Sequence, residues 1–149
     1  MAPKPLKLGD GIAVVAPARY ATLELVREAC ELIETAGFKA VVPDRIEARD
    51  GQFGGDDEHR ATVLNGAFRN KDVRAVLALR GGYGSGRILP LIDAEAYLED
   101  PTWIVGFSDI TALHAWSNNL GVASLHAPVA STMKSTYGKD VKLVWDTLM

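Results

Sequence analysis

The chain predicts an α/β fold, a parallel sheet with helices on both faces. Three observations predict it. Five short apolar runs alternate with segments whose apolar residues recur at helical spacing. The runs are apolar throughout instead of alternating, the mark of strands buried on both faces. Polar or glycine-rich stretches follow the runs, where chain reversals belong.

The first run, Gly11 to Ala18 ("GIAVVAPA"), ends at Pro17. Thr22 is placed to cap a helix in which Leu25/Val26, Ala29/Cys30, Leu32/Ile33 and Ala36 share a face, and Gly37 stops it. "FKAVVP" reads as a second strand and "DRIEARDGQFGGDD" as a loop. Helical spacing returns from Asp57 to Phe68, with Asp56 and Asp57 at its cap. "VRAVLAL" is a third strand running into "RGGYGSG". "GRILPLI" reads as a helix with Pro90 near its end. "TWIVGF" is a fourth strand, "DITALHAWSNNL" a helix ended by Gly121, and "VASLHAP" a fifth strand. "KDVKLVWDTLM" closes as an amphipathic helix with Val141, Val144, Trp145 and Leu148 on one face.

At 149 residues, with 48% hydrophobic and 23% charged side chains, the chain is one domain in size and ordinary for a globular protein. A net charge of −3 gives no basic footprint for nucleic acid. The apolar runs are too short to span a membrane, and "MAPKPLKLGDG" lacks the apolar core of a signal peptide. The single cysteine, Cys30, allows no internal disulfide. These features read as cytoplasmic. No His/Cys/Asp spacing has metal-ligand character, so neither metal nor cofactor is expected.

In parallel α/β sheets, ligands bind outside the carboxyl ends of the strands. Three segments fall there: Pro17-Ala18-Arg19, Arg80 to Gly86, and Ser108-Asp109. Four glycines among residues 81–86 allow close approach of backbone to a ligand. They suit an anion nest or half of an oxyanion hole. A plain flexible turn is the alternative. The stretch is neither a P-loop nor a dinucleotide fingerprint. Arg19 and Arg80 are rim cations, each able to bind a carboxylate.

Ser108 follows Gly106 on a strand-to-helix turn, half of a nucleophile-elbow pattern, with Ile110 where the second glycine would stand. It reads equally as a helix N-cap, and Asp109 as a dipole-matched carboxylate. A serine nucleophile needs a base within reach. His59 lies in the charged stretch "DDEHR". His114, six residues on, is rotated off the face of Ser108 on a helix. His126 ends the fifth strand at the same rim and is the only local candidate. A histidine hydrogen-bonded within the rim is its alternative.

Four segments in order resemble the LD-carboxypeptidases, serine peptidases of bacterial murein recycling related to the microcin-immunity peptidases. They are "GDGIAVVAPA", "GGDDEHRATVLNGAFRNKDVRAVLALRGGYGSGRILPLID", "WIVGFSDITALHAW" and "LHAPV". Together they cover nearly the whole chain. "RGGYGSGR" followed about two dozen residues later by "GFSDIT" is the specific combination. The one small departure is His126-Ala127-Pro128, where the family often has His-Gly-Pro.

The resemblance implies a Rossmann-like or flavodoxin-like sheet, similar to the class I glutamine amidotransferase-like N-terminal domain of the family. It implies that Ser108 is the nucleophile of a Ser-His-Glu triad. The backbone N–H groups of Asp109 and Gly82 would form the oxyanion hole, and Arg80, Gly81 and Tyr83 would meet substrate. The reaction would release the terminal D-alanine of murein tetrapeptide without a metal. An immunity-type peptidase acting on a peptidyl-nucleotide antibiotic is the alternative, and a non-catalytic anion-binding module a third. The family's Glu and His lie in a C-terminal domain. Residues 1–149 are accordingly expected to be the N-terminal, nucleophile-bearing domain, with the C-terminal domain absent. Alone they are expected to be inactive, and to self-associate as a homodimer through the exposed rim.

Overall fold

The structure, a computed structural model, describes residues 1–149. Five strands form one sheet: β1 Gly11–Val15, β2 Lys39–Val41, β3 Val73–Ala78, β4 Trp103–Gly106 and β5 Leu125–His126. All pairings are parallel, in the order β2-β1-β3-β4-β5. This is the flavodoxin-like order. The chain runs outward from β1 to β2, then returns to the far side of β1 to lay down β3. The switch point thus lies between the carboxyl ends of β1 and β3.

Parallel neighbours need crossovers, and helices supply them. These are α1 Leu23–Thr35, α2 Asp57–Arg69, α3 Ser85–Ile88, α4 Ala94–Glu99, α5 Thr111–Asn119, α6 Ala130–Met133 and α7 Gly138–Leu148. The strands' two-residue period divides their side chains between two buried layers. On one face Ile12, Val14, Ala75 and Leu77 pack against Val26, Ala29 and Ile33 of α1, Met133 of α6, and Trp145 and Leu148 of α7. On the other, Ala13, Val15, Val76 and Ile104 meet Leu64 and Phe68 of α2, Ile88 of α3 and Leu113 of α5. Burying each large aliphatic side chain contributes roughly 1.5–3 kcal/mol.

Local signals act where the sequence placed them. The Thr22 hydroxyl accepts the Leu25 N–H at 3.2 Å. The Asp56 carboxylate accepts the His59 N–H at 2.7 Å. The segment read as one helix, "GRILPLI", breaks into α3 and a 3-10 turn, Leu89–Leu91. Pro90 explains this, since its ring would strike the carbonyl one turn back in an α-helix. The fifth strand is shorter than expected. It pairs only on the β4 side, and Pro128 has no N–H to extend the ladder. Two short helices had no forecast: α4, whose first turn the Asp93 carboxylate caps at 3.0 Å, and α6. No helix is long and apolar enough to cross a membrane.

Candidate active site

The rim at the carboxyl ends of β1, β3 and β4 gathers the three segments singled out from sequence. β4 carries its buried residues to Gly106, and the chain turns sharply into a 3-10 turn, Ser108–Ile110, before α5. Ser108 opens this turn with φ +61°. That left-handed conformation costs an L-residue about 1–2 kcal/mol, and such strain concentrates at functional positions. Ser108 is exposed. It is not a helix N-cap: Phe107, in extended backbone, holds that position.

Asp109 does not serve its own turn with its side chain. Its carboxylate reaches across and accepts the Ser85 backbone N–H at 2.8 Å, capping α3 and tying the serine turn to the glycine-rich one. Gly81 lies directly against the serine. A Cβ built there would stand 3.1 Å from Ser108 Cβ and 3.2 Å from its Oγ, so only glycine leaves the hydroxyl uncrowded. Gly82 has φ +116°, a backbone that favours glycine, and a Cβ there would meet Arg19 Cβ at 2.9 Å. The Arg19 N–H donates to Gly81 O at 3.3 Å, bringing the end of β1 alongside.

A cleft of about 230 Å³ opens here, with Arg19, Arg80, Gly81, Gly82, Phe107 and Ser108 on its walls. Ser131 and Thr132 of α6 complete it, beside Val129. Sequence reasoning missed both hydroxyl residues; Ser131 arrives because its N–H donates to Leu79 O at 3.0 Å. Tyr83 is not among the lining residues. It is exposed, with its ring 6.2 Å from that of Phe53. A larger groove of about 660 Å³ lies between α1 and α7 and contains none of these residues.

The histidines sort by their hydrogen bonds. His114 Nε2 lies 2.8 Å from Gly106 O and Nδ1 lies 2.7 Å from Ser124 Oγ. A carbonyl only accepts, so Nε2 carries the proton, and in the neutral ring Nδ1 accepts from the Ser124 hydroxyl. Burial lowers its pKa, partly offset by the bond to Gly106. With both nitrogens engaged, His114 steadies the strand end before Ser108 and has no free nitrogen for it. His126 stands at the rim, but the alternative of a rim hydrogen bond is not met. It is exposed, its ring edge-on to Phe107 at 6.3 Å and 5.7 Å from His114. β5 ends at His126 on the sheet edge. His59 packs near Gly55 at the start of α2.

One organising residue gave no sequence signal. Arg60, 2% exposed, donates to Pro17 O at 2.7 Å, Gly84 O at 2.9 Å and Gly55 O at 3.2 Å, and pairs with Asp57. Burial works against its charge, and Asp57 offsets this. It lies 4.9 Å from the Phe53 ring centroid. Three segments distant in sequence are thereby held around one guanidinium. Asp57 is held in turn by Arg87 at 3.0 Å, whose hydrogen bond keeps the Asp57 carboxyl below its usual range. No group of three or more His, Cys, Asp or Glu side chains is arranged to hold a metal ion.

Fold and rim together define a flavodoxin-like α/β domain that presents an exposed, left-handed serine at a strand-to-helix turn beside a glycine-rich loop. Residues 12–127 match the LD-carboxypeptidase N-terminal domain, and the chain belongs to that family, one of serine carboxypeptidases. It is 34% identical to the murein tetrapeptide carboxypeptidase of Pseudomonas aeruginosa, over 82% of this chain and 40% of that protein. It is 32% identical to the microcin C7 self-immunity protein MccF of Escherichia coli, over 74% of this chain and 33% of that one. The solved structure of apo MccF superposes with a TM-score of 0.91, covering 100% of this chain and 47% of the other at 24% identity, a likeness of fold. The chain thus spans less than half the length of each of these relatives.

Proposed function

We propose that residues 1–149 form the nucleophile-bearing domain of a serine-type LD-carboxypeptidase that releases the terminal D-alanine of murein tetrapeptide. The exposed, left-handed Ser108 with Gly81 against it carries this reading. Ser108 Oγ attacks the carbonyl carbon of the bond to D-alanine as a base takes its proton. The oxyanion is held by the N–H groups of Asp109 and Gly82, donors that must lie about 2.7–3.1 Å from it. The proton passes to the leaving amine, D-alanine departs, and water hydrolyses the acyl-serine. Arg80, Gly81 and Tyr83 are assigned to substrate contact.

The base in this reading comes from a Glu-supported histidine outside these residues. His114 being occupied favours that assignment. Without the base, roughly 10³–10⁴-fold over water is what oxyanion hole and binding retain. The 149-residue chain is therefore expected to release no detectable D-alanine from murein tetrapeptide, and the longer polypeptide that supplies Glu and His to release it. A fluorophosphonate should label Ser108 in that longer polypeptide and fail with Ser108→Ala. Turnover by the 149-residue chain that Ser108→Ala abolishes would overturn the missing-base argument and point to His126, making His126→Ala the next variant. The similarity to MccF favours one second reading, an immunity-type peptidase acting on a peptidyl-nucleotide antibiotic. Competing the two substrates in one assay separates them.

A further inference from the structure

The groove between α1 and α7 is divided by sign. α1 gives its rim two carboxylates, Glu28 and Glu31, while α6 and α7 give two ammoniums, Lys134 and Lys142. The floor between them is apolar, with Leu32, Met133, Val141 and Trp145. Lys134 bonds Glu28 at 2.6 Å, and Lys142 bonds Asp146 on its own helix. Glu31 and Lys139 enter none of the chain's ion pairs. On the outer side of α7, Lys139, Leu143 and Asp146 fall at i, i+4 and i+7, an exposed stripe along one face. Leu143 is 62% exposed, a large aliphatic side chain left in water between two opposite charges. The two helices run the same way. α1 leaves the carboxyl end of β1, and α7 ends where Leu148 O accepts the Leu6 N–H, ahead of β1. Going away from the catalytic rim, the groove therefore offers Lys134 first, level with Glu28, and then the unpaired Glu31. The stripe of α7 offers Lys139 first and Asp146 last. The two orders match in sign only when the stripe is laid antiparallel to the groove, as a twofold axis lays one copy of a helix on another.

From this order we infer that α7 of a second copy of the chain fills the groove, in an isologous dimer. Leu143 of each copy enters the other's groove over Val141 and Trp145, Lys139 reaches the other's Glu31, and Asp146 reaches the other's Lys134. The present partners of Lys134 and Asp146 are exposed ion pairs, which stabilise little and exchange at little cost. Burial of Leu143 and of the groove floor drives association, and the charges set its direction and register. The 11 residues of α7 span about 16 Å, so the interface is small and the dimer weak. α6 stands between this groove and the cleft beside Ser108: Ala130 and Met133 line the first, Ser131 and Thr132 the second. A copy seated in the groove therefore rests against the back of the cleft wall. The dimer does not depend on the role of Ser108.

The test is sedimentation velocity on the 149-residue chain between about 10 µM and about 1 mM, the range of a weak dimer. A monomer–dimer equilibrium is expected there. The amide NMR signals of Leu32, Val141, Ser131 and Thr132 should move with concentration. Leu143→Asp should weaken association at least about tenfold, the effect of losing one buried aliphatic side chain. Glu31→Lys and Lys139→Glu should each weaken it, and the double variant should restore it, which damage to the fold cannot do. Leu98→Asp, exposed on α4 over the other face of the sheet, should change nothing. A chain that stays monomeric at about 1 mM, open-ended association, or a dimer that Leu143→Asp leaves intact would overturn the interface. A dimer that Tyr83→Ser breaks and Leu143→Asp does not lies at the catalytic rim instead. A dimer that obeys the charge exchange while the Ser131 and Thr132 signals stay still keeps the interface and overturns its reach to the cleft.

Discussion

The Ser85 backbone N–H donates to the Asp109 carboxylate at 2.8 Å across 24 residues of chain. This bond joins the turn that presents the serine to the loop that lies against it, so the two cannot drift independently. Asp109→Ala is expected to cost about 1 kcal/mol, as for loss of a helix cap, and to reduce Ser108 labelling in the longer polypeptide more than global stability. Urea unfolding and labelling rates read the two effects separately.

Ser108→Gly and Ser108→Ala both delete the hydroxyl, but only alanine keeps the strain of φ +61°. Glycine is expected to be the more stable by about 1 kcal/mol, with both variants equally unreactive. Denaturation midpoints of the pair measure the strain held at this position.

Gly81→Ala would set a methyl 3.2 Å from Ser108 Oγ, closer than the roughly 3.5–4.0 Å of ordinary contact. The exposed hydroxyl can turn away, but the 3.1 Å contact with Ser108 Cβ is set by the backbone, so a small loss of stability should accompany the change. The labelling rate is expected to fall on the order of 10–100-fold as the hydroxyl leaves its attacking geometry.

Arg60→Met is expected to destabilise the chain by about 3–5 kcal/mol, leaving the carbonyls of Pro17 and Gly55 unpaired in the interior and Gly84 O with only its bond from the Arg87 N–H. Arg60→Lys should recover little, since one ammonium cannot reproduce the fork. Chemical denaturation of both variants checks this.

His114 gives stability a pH dependence with a fixed sign. Burial lowers its folded pKa below the ordinary value of about 6.5, so the unfolded chain takes up a proton first as pH falls. Its contribution is present above about pH 6.5 and is lost as pH falls from there towards the lower folded pKa. The slope is at most about 1.4 kcal/mol per pH unit. His114→Gln should flatten it. Urea midpoints at about pH 7.5 and about pH 5.5 distinguish the two proteins.

The strands were legible because burial on both faces leaves no polar alternation, as in "GIAVV" and "VRAVLA". The helices α4 and α6, of six and four residues, span too few turns to show a period. Ser108 was legible because its turn is local: glycine, serine and aspartate lie within four residues. Arg60 was not. In "DDEHR" it looks like one more solvated charge, and its burial depends on carbonyls 43 and 24 residues away. Ser131 and Thr132 were hidden for a like reason, since α6 reaches the cleft through long-range contacts, the bond from Ser131 to Leu79 and the packing of Met133 in the core.

The strand order also sets when the serine acquires its surroundings. β1 has β2 and β3 as neighbours, both made later in the chain, and its register with β3 pairs Val15 with Ala78, across more than sixty residues. Such non-local pairing forms slowly, after the local helices. The segments ending at Arg19, Gly82 and Asp109 meet only when β1, β3 and β4 lie side by side. An unfinished chain therefore carries Ser108 as an ordinary hydroxyl, and reactivity at this position is deferred until the sheet is complete.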